Sequence, residues 1–166
     1  PALAGVQAVV HLVAIARDFK GGAELRLVNT EGTRALVGAM QAAGVRRLVH
    51  MGALGVLDDP NLHYASSKAK AEALVRESGL DWTILRVGAV FPHVLPTSLD
   101  PMTFDIPTEQ RMEMVHTLDV GLAVANAVSC DEALGQTLLI GGGESCRVRA
   151  GELRSRVAVT FEPGFP

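Results

Sequence analysis

The hydrophobic pattern of this chain begins with a nearly continuous apolar run at residues 6–15, interrupted by only two polar side chains. A short run of this kind, rich in valine, is typical of a strand buried on both faces of a parallel sheet. Residues 48–51 and 82–87 repeat the pattern, and a shorter apolar segment lies at Gln136–Ile140. The pattern therefore predicts four strands.

Between the predicted strands, apolar residues recur at helical spacing. Residues 29–43 place apolar side chains three and four positions apart, and Gly44 can end this helix in the left-handed conformation. Residues 64–78 predict a second helix, residues 117–128 a third, and residues 150–157 a fourth. Every predicted strand is therefore separated from the next by a helix or by a long connection.

This alternation of strands and helices indicates the fold class. The connections are long enough for right-handed crossovers, so we predict an α/β fold with a doubly wound, Rossmann-like parallel sheet covered by helices. Aromatic residues make up only 4% of the chain, so the core must consist mainly of Ala, Val and Leu. With 166 residues, the chain is long enough for one core, and we expect residues 1–166 to form a single domain.

Residues 88–115 depart from the alternation, because four prolines interrupt every periodicity in and near this segment. Long irregular segments in compact domains are usually functional or mobile. We therefore expect an irregular excursion that caps the substrate. Order returns with Thr117, the expected N-cap of the third helix, and Asp119 in the first turn suits the positive end of the helix dipole.

Charge and composition exclude several classes of partner. A formal net charge of −3 gives no electrostatic reason to expect nucleic acid or an anionic membrane surface. No apolar run reaches the ~20 residues needed to span a bilayer, and no signal peptide is visible, so we expect a cytoplasmic protein. Cys130 and Cys146 are interpreted as reduced thiols, and the histidines lack metal-ligand spacing, so no metal site is expected.

Tyr64 and Lys68 are the strongest candidates for chemistry, four residues apart at the start of the second predicted helix. This spacing places both side chains on one helix face. A phenol is a poor acid or base at neutral pH, but a neighbouring ammonium ion lowers its pKa toward the working range. Two solvated side chains would show the same spacing. However, the pair follows a glycine-containing loop at the carboxyl end of a buried strand, where open α/β sheets bind ligands.

Several other polar or glycine-rich positions have structural explanations. His11 and His50 lie within apolar strands and are interpreted as hydrogen-bonded core or cleft histidines. Arg86 ends a strand at the ligand edge, where a phosphate contact and a structural ion pair explain it equally well. The glycines at 141–143 are followed by Cys146 where a Gly-x-Gly-x-x-Gly loop would have its last glycine, so we predict a plain turn there.

Six segments, taken in order, point to a known family. They are Val-Val-His-Leu-Val at 9–13, Asn-Thr-Glu-Gly-Thr at 29–33, Ala-Gly-Val-Arg-Arg-Leu-Val-His-Met at 43–51, Tyr-Ala-Ser-Ser-Lys at 64–68, Gly-Leu-Asp-Trp-Thr-Ile-Leu-Arg at 79–86 and Val-His-Thr-Leu-Asp-Val at 115–120. The chain resembles the extended and atypical branches of the short-chain dehydrogenase/reductases, which include NAD-dependent epimerases and dehydratases and an NADPH-binding accessory subunit of respiratory complex I. The resemblance, which covers residues 6–153, implies NAD or NADP as cofactor and a small-molecule substrate.

The resemblance also implies roles for particular residues. Tyr64 would be the acid/base, and Lys68 would orient the cofactor ribose and lower the pKa of Tyr64. Asn29 resembles the polar residue that opens a helix in the family, and a purely structural N-cap explains it equally well. The segments after the first and third strands would pass beside the cofactor through their backbone. The predicted cofactor-binding residues are His11, Leu12, Val13, Ala14, Asn29, Met51, Tyr64, Lys68, Val87, Gly88, Ala89 and Val90.

Two departures from the family pattern affect the predicted activity. The family holds the substrate oxygen with a serine or threonine just after the second strand, whereas residues 51–54 are Met, Gly, Ala and Leu. The family also binds the pyrophosphate through a glycine-rich first turn, which this chain lacks. Because that turn precedes the segment that aligns with Val6, we expect the natural protein to extend upstream of Pro1.

The sequence leaves three functions open. The leading one is an NAD(P)-dependent oxidoreductase or epimerase/dehydratase-like enzyme that transfers hydride at a carbonyl or alcohol carbon. The second is a redox-silent NAD(P)H-binding scaffold or assembly subunit with a protein partner. The third is an inactive fragment that lacks the phosphate-binding half and exposes the edge of its first strand. The residue that selects NAD or NADP would lie in that upstream half.

Overall fold

The computed structural model describes residues 2–91, 111–142 and 145–147. Its strands are β1 (Ala8–His11), β2 (Arg47–Ala53), β3 (Asp81–Val87), β4 (Ala89–Phe91), β5 (Arg111–His116), β6 (Gln136–Ile140) and β7 (Ser145–Arg147). Its helices are α1 (Ala23–Leu25), α2 (Gly32–Ala43), α3 (His63–Glu77) and α4 (Thr117–Ser129), with a π-helical segment at Arg26–Glu31 and a 3-10 turn at Asp131–Ala133. The strands predicted from the apolar runs are all present.

The main sheet contains four parallel strands in the order β1-β2-β3-β6. The central strands β2 and β3 pair over their whole length, as expected for apolar segments buried on both faces. Strand β1 is shorter than the predicted 6–15 and ends at His11. The chain leaves the sheet there, because the backbone N–H and C=O of Ile15 pair with the side chain of Asn29.

The first long helix begins earlier than the sequence predicts. It starts with α1 at Ala23, continues through the π-helical segment and α2, and ends at Gly44, which adopts the expected left-handed conformation with a φ of 70°. The carboxylate of Asp18 accepts hydrogen bonds from the backbone N–H groups of Glu24 and Leu25 at 2.7 and 3.2 Å. Because this carboxylate lies several residues upstream of the helix, the sequence pattern does not reveal the true start.

Helices cover both faces of the main sheet. Helices α2 and α3 pack against one face, where Met40, Leu48, Val75 and Ile84 form part of a fully buried cluster. Helix α4 packs against the other face. The buried cluster on that face consists of Val49, Leu85, Val87, Val115, Val120 and Ala127. The predicted doubly wound α/β fold with a Rossmann-like parallel sheet is therefore confirmed.

A second sheet of three strands lies where an irregular excursion is predicted. Strand β4 pairs in parallel with β5, and β5 pairs in antiparallel with β7. Strand β5 passes directly over glycines at the ends of β3 and β6: a Cβ at Gly88 would collide with the carbonyl oxygen of Glu113, and a Cβ at Gly142 with that of Met114. The prediction of irregular structure is therefore wrong at both ends of residues 88–115. Gly142 permits this close backbone approach, and Gly143 of the turn predicted there lies outside the described residues.

Helix α4 occupies the predicted position, but its N-cap is His116 rather than Thr117. The Nδ1 atom of His116 accepts a hydrogen bond at 3.2 Å from a backbone N–H two residues further on, and Asp119 lies in the first turn as expected. The middle of the predicted excursion, residues 92–110, and the helix predicted at residues 150–157 lie outside the described residues. In the part of the chain that the structure describes, no helix combines the length and apolar character needed to span a bilayer.

Candidate functional site

The candidate site lies at the carboxyl edge of the main sheet, beside the first turns of α3. Strand β1 ends at His11, opposite His50, and β2 continues to Ala53. Lys68 reaches this edge from α3, and its Nζ atom donates a hydrogen bond to the carbonyl oxygen of Met51 at 2.6 Å. Burial, followed by the positive charge of Lys68, lowers the pKa of His11. Three of the predicted site residues, His11, Met51 and Lys68, therefore share one region.

Tyr64 and Lys68 lie on the same face of α3 but in different surroundings. Tyr64 is 36% exposed, whereas Lys68 is only 3% exposed. Burial raises the pKa of Tyr64 above its usual value. Burial also lowers the pKa of Lys68, against the opposing influence of the Glu72 carboxylate. The prediction that Lys68 lowers the pKa of Tyr64 is therefore wrong for this structure, in which desolvation shifts the phenol.

Asn29 connects two parts of the site and does not open a helix. It lies inside the π-helical segment, and its buried side chain pairs with both the N–H and the C=O of Ile15 at 2.9 Å. Its Nδ2 atom also donates to the Oγ atom of Ser67 at 3.0 Å, one residue before Lys68. Both the helix-opening and the N-cap interpretations of Asn29 are therefore wrong. The amide instead ties the loop after β1 to α3, and π-helical turns often occur at such functional positions.

Thr30 and Ser67 were not predicted as site residues, yet they complete this link. The Thr30 hydroxyl donates to the backbone carbonyl of Ser67 at 3.0 Å, and the Ser67 hydroxyl donates to the carbonyl of Tyr64 at 2.8 Å. Both side chains are buried. Their sequence signal is weak, because a serine or threonine among helical positions is equally compatible with exposure to solvent.

His11 and His50 face the same side of the sheet, with ring centroids 5.2 Å apart. The Nε2 atom of His11 lies 3.1 Å from the hydroxyl of Thr33, which itself donates to the carbonyl of Asn29 at 2.7 Å. Neither ring nitrogen of His50 has a hydrogen-bond partner within the described residues. Burial, followed by neighbouring positive charges, lowers the pKa of His50 from 6.5 to about 3. The prediction of hydrogen-bonded histidines is confirmed for His11 and wrong for His50.

The second predicted cofactor segment follows the end of β3. The carbonyl of Val87 accepts a hydrogen bond at 2.9 Å from the loop after β2, and the N–H of Gly88 donates at 3.0 Å to the last carbonyl of β6. These two backbone groups are therefore already used within the protein. The segment continues through Ala89 into Val90, whose side chain is exposed, as are those of residues 12–14 after β1. Exposed apolar side chains thus surround the carboxyl edge of the sheet.

A buried ion pair lies against Gly52, one of the four residues among which the family has its hydroxyl. Glu72 is fully buried, and its carboxylate lies 2.7 Å from Nη2 of Arg86 and 2.8 Å from Nη2 of Arg76. A Cβ at Gly52 would lie 2.5 Å from Oε1 of Glu72, so a side chain at that position would displace the carboxylate. Of the two explanations offered for Arg86, the structure therefore shows the ion pair.

With this geometry established, comparison with known proteins assigns the family. Residues 1–130 match the family described as NAD(P)H-binding. The chain belongs to this NAD(P)H-binding family. The predicted cofactor class, NAD or NADP, agrees with that membership. Among characterised relatives, the photosystem II assembly factor Ycf39 of Synechocystis sp. is 24% identical over 151 residues, which cover 87% of this chain and 45% of the assembly factor.

Solved structures share the fold. The dTDP-glucose 4,6-dehydratase DesIV of Streptomyces venezuelae, solved with NAD bound, is 27% identical with a TM-score of 0.76, and the match covers 95% of this chain and 59% of the dehydratase. The UDP-N-acetylglucosamine 4-epimerase of Bacillus cereus is 22% identical with a TM-score of 0.70, over 92% of this chain and 62% of the epimerase. The resemblance to the epimerase/dehydratase branch of the short-chain dehydrogenase/reductases is thereby confirmed. The chain spans about half to two thirds of the length of these proteins.

Proposed function

We propose that this chain carries the acid/base side of an NAD(P)-dependent oxidoreductase or epimerase/dehydratase-like enzyme that acts on a small molecule. The observation that carries the proposal is the arrangement on α3. Tyr64 is partly exposed at the carboxyl edge of the sheet, and Lys68 lies one turn further along the same helix face. Open α/β sheets bind their ligands at this edge. Membership of the NAD(P)H-binding family supports the same location for the cofactor.

The side chains at this edge suit a dinucleotide. Leu12, Val13 and Val90 are exposed apolar residues against which a planar ring can pack. Lys68 has three N–H donors, and the carbonyl of Met51 is one partner, so the ammonium can also donate to ribose hydroxyls. In this proposal the predicted cofactor-binding residues keep their roles, except that Asn29 acts indirectly by holding the loop after β1 against α3.

The proton chemistry follows from the surroundings of Tyr64. The nicotinamide, when bound, supplies hydride to the substrate carbon or accepts it. Because burial raises the pKa of Tyr64, the phenol stays protonated at neutral pH and is suited to donate its proton to a substrate oxygen during carbonyl reduction. The phenolate would then recover a proton from solvent. Residues 51–54 offer no hydroxyl. In this proposal the phenol of Tyr64 is therefore the hydroxyl group that binds the reacting oxygen.

The first test replaces the phenol. We expect Tyr64→Phe to reduce NADPH-dependent turnover of a panel of aldehydes, ketones and nucleotide sugars by about 100-fold, because general acid catalysis contributes roughly that much. Binding of NADPH, measured by fluorescence titration, should change less than about threefold. Undiminished turnover in the variant would refute the role of Tyr64.

Two further variants test whether Lys68 itself, and not any positive charge on α3, binds the cofactor. Lys68→Met should weaken NADPH binding about tenfold through loss of its hydrogen bonds to the cofactor. Lys70→Met is the matched control, because Lys70 is exposed on α3 and pairs only loosely with Asp58, at 3.5 Å. Equal effects of the two substitutions would show that Lys68 has no specific contact with the cofactor.

A second candidate function is a redox-silent scaffold or assembly subunit that binds NAD(P)H and a protein partner. Two observations favour it: residues 51–54 lack a hydroxyl, and one relative of the chain is a photosystem II assembly factor. Binding of NADPH without turnover of any tested carbonyl or nucleotide sugar, together with a stable complex isolated from the native source, would support this function. Rapid steady-state hydride transfer would exclude it.

A further inference from the structure

His50 is a buried polar residue that packing alone does not explain. It lies in the middle of the main sheet, between His11 of β1 and Ile84 of β3, and is 1% exposed. In the described part of the chain, neither of its ring nitrogens has a hydrogen-bond partner. An unpartnered buried polar group reduces stability, and an apolar side chain of similar size would avoid this loss. The unpartnered imidazole therefore points to a role other than stability.

The hydrogen bonds around His11 determine which of its ring nitrogens carries the hydrogen. The hydroxyl of Thr33 donates its single hydrogen to the carbonyl of Asn29, so it can only accept from His11. The Nε2 atom of His11 therefore carries a hydrogen and donates it to Thr33. Because burial and a neighbouring positive charge lower the pKa of His11, the ring is neutral at physiological pH and its Nδ1 atom is an acceptor.

Lys68 is the cation whose charge acts on both imidazoles. After burial, its charge is the largest cause of the lowered pKa of His11 and of His50. Two other charged side chains act here: Arg76 on His50, and Glu72 on Lys68 in the opposite direction. The Nζ atom of Lys68 donates to the carbonyl that follows His50 in β2, and two further hydrogens remain on the ammonium ion.

A neutral imidazole beside an ammonium ion can direct a lone pair toward the charge. In the protein interior, this charge–dipole attraction is stronger than in water, because the effective dielectric constant is lower. The attraction partly replaces the water that burial removes from Lys68. His50 can provide it, since its nitrogens are not used by other described residues, whereas leucine at the same position would not.

We propose that His50 is a positioning residue that keeps Lys68 as a protonated ammonium ion at the carboxyl edge of the sheet, with His11 completing a pair of neutral imidazoles. The role of His50 acts through Lys68 and involves no contact with substrate. Its effect on NAD(P)H binding rests on the function proposed above, in which Lys68 binds the cofactor ribose. The charge state of Lys68 itself can be tested without any cofactor.

The test is an NMR titration of the lysine side chains. The chain contains three lysines, Lys20, Lys68 and Lys70, so lysine labelled with ¹³C at the ε position gives three signals. We expect the Lys68 signal of His50→Leu to titrate at a lower pH than in the wild type. His50→Gln keeps a hydrogen-bond acceptor and should restore the wild-type midpoint. Lys20 and Lys70 are exposed, and their midpoints should not move.

The outcomes separate this proposal from a purely structural role. If the Lys68 midpoint is the same in wild type, His50→Leu and His50→Phe, the proposal is overturned and His50 is a packing residue. The phenylalanine variant carries the comparison if the leucine variant does not fold. A midpoint that moves in the expected direction and returns in His50→Gln supports the positioning role.

An NADPH titration on the same samples keeps the two proposals distinguishable. We expect the Kd for NADPH to rise about fivefold in His50→Leu, which corresponds to ~1 kcal/mol. If the Lys68 midpoint depends on His50 but the wild type does not bind NADPH, the positioning role stands and the proposed function fails. If NADPH binds equally well to wild type and His50→Leu while the Lys68 midpoint is also unchanged, the positioning role fails alone.

Discussion

Two polar side chains of β2 differ in their hydrogen bonding: Arg47 is half-buried at the amino end of the strand, and His50 is fully buried at its middle. At the amino end, the guanidinium of Arg47 donates to the hydroxyl of Thr83 at 2.8 Å and to the backbone carbonyls of Asp81, Ala127 and Val128. At the middle of the strand, the imidazole of His50 has no hydrogen-bond partner among the described residues. Four hydrogen bonds of one side chain thus contrast with none of the other.

The difference separates two uses of a polar side chain in the sheet. Arg47 joins two strands to the last turn of α4, whose free carbonyls form the negative end of the helix dipole, so its charge stabilises the fold. His50 gives the fold no comparable hydrogen bond, and it lies beside the residues proposed to bind the cofactor. A fully paired polar group therefore indicates architecture, whereas an unpaired one next to a ligand edge indicates function.

The largest expected effect comes from removing the paired group. Arg47→Ala leaves Thr83 and three carbonyls without their donor, and we expect it to lower the free energy of unfolding by about 3 kcal/mol. Urea denaturation followed by circular dichroism measures this. Arg46→Ala is the matched control, because Arg46 is exposed and its ion pair with Asp81 should contribute less than ~1 kcal/mol. Similar losses in the two variants would show that the hydrogen bonds of Arg47 do not stabilise the fold, and the contrast with His50 would be lost.

An intermediate effect is expected from pH, through His50. Its pKa is about 3 in the folded protein and 6.5 in the unfolded chain, so between these pH values the unfolded chain binds a proton that the folded protein does not. Stability should therefore be greatest above pH 6.5 and should fall with falling pH. Between pH 7 and pH 4.5, we expect the wild type to lose on the order of 2 kcal/mol more than His50→Leu.

Denaturation midpoints measured across this pH range check the prediction. His63→Gln is the control, because His63 lies on the exposed start of α3, and this variant should follow the wild-type curve. Parallel curves for wild type and His50→Leu would mean that His50 takes up a proton in the folded protein as easily as in the unfolded chain.

The smallest effect is expected from Asn29→Ala. The substitution leaves the N–H and C=O of Ile15 without their partner, so we expect a loss of about 1–2 kcal/mol and faster hydrogen exchange in the loop after β1. Asn61→Ala serves as control, because the Asn61 side chain is exposed and bonds only to nearby Asp59. If the backbone N–H of Ile15 stays protected from hydrogen exchange in Asn29→Ala, the side-chain amide of Asn29 is not the reason that β1 ends at His11.

The main sheet could be predicted from the sequence because its strands are long apolar runs separated by helices. The second sheet could not. Strand β4 has three residues, too few to show a periodicity, and the position of β5 requires Gly88 and Gly142 to let the backbones approach. Such contacts join segments that are far apart in sequence, and no local pattern records them. The start of the first helix was missed for a related reason, since Asp18 caps it from an upstream turn.

The spacing of the site residues could be predicted from the sequence, but the burial of their side chains could not. Helix geometry alone places Tyr64 and Lys68 on one face. Their different burial depends on the strand ends that lie beside them, and it reverses the expected direction of the Tyr64 pKa. In the same way, the sequence suggests a polar role for Asn29 but not its partner Ile15, because the loop between them has no regular structure.

The contact between Gly52 and Glu72 makes these two positions interdependent during evolution. A serine at position 52 would supply a hydroxyl in the segment where the family has one, but only if the Glu72 carboxylate moved away from Arg86. Shortening Glu72 first would leave two arginines without their partner. Each substitution alone is unfavourable, and their combination removes the close contact at position 52 but still leaves both arginines without the carboxylate. A hydroxyl at position 52 therefore requires a change at Glu72 and a new partner for both arginines.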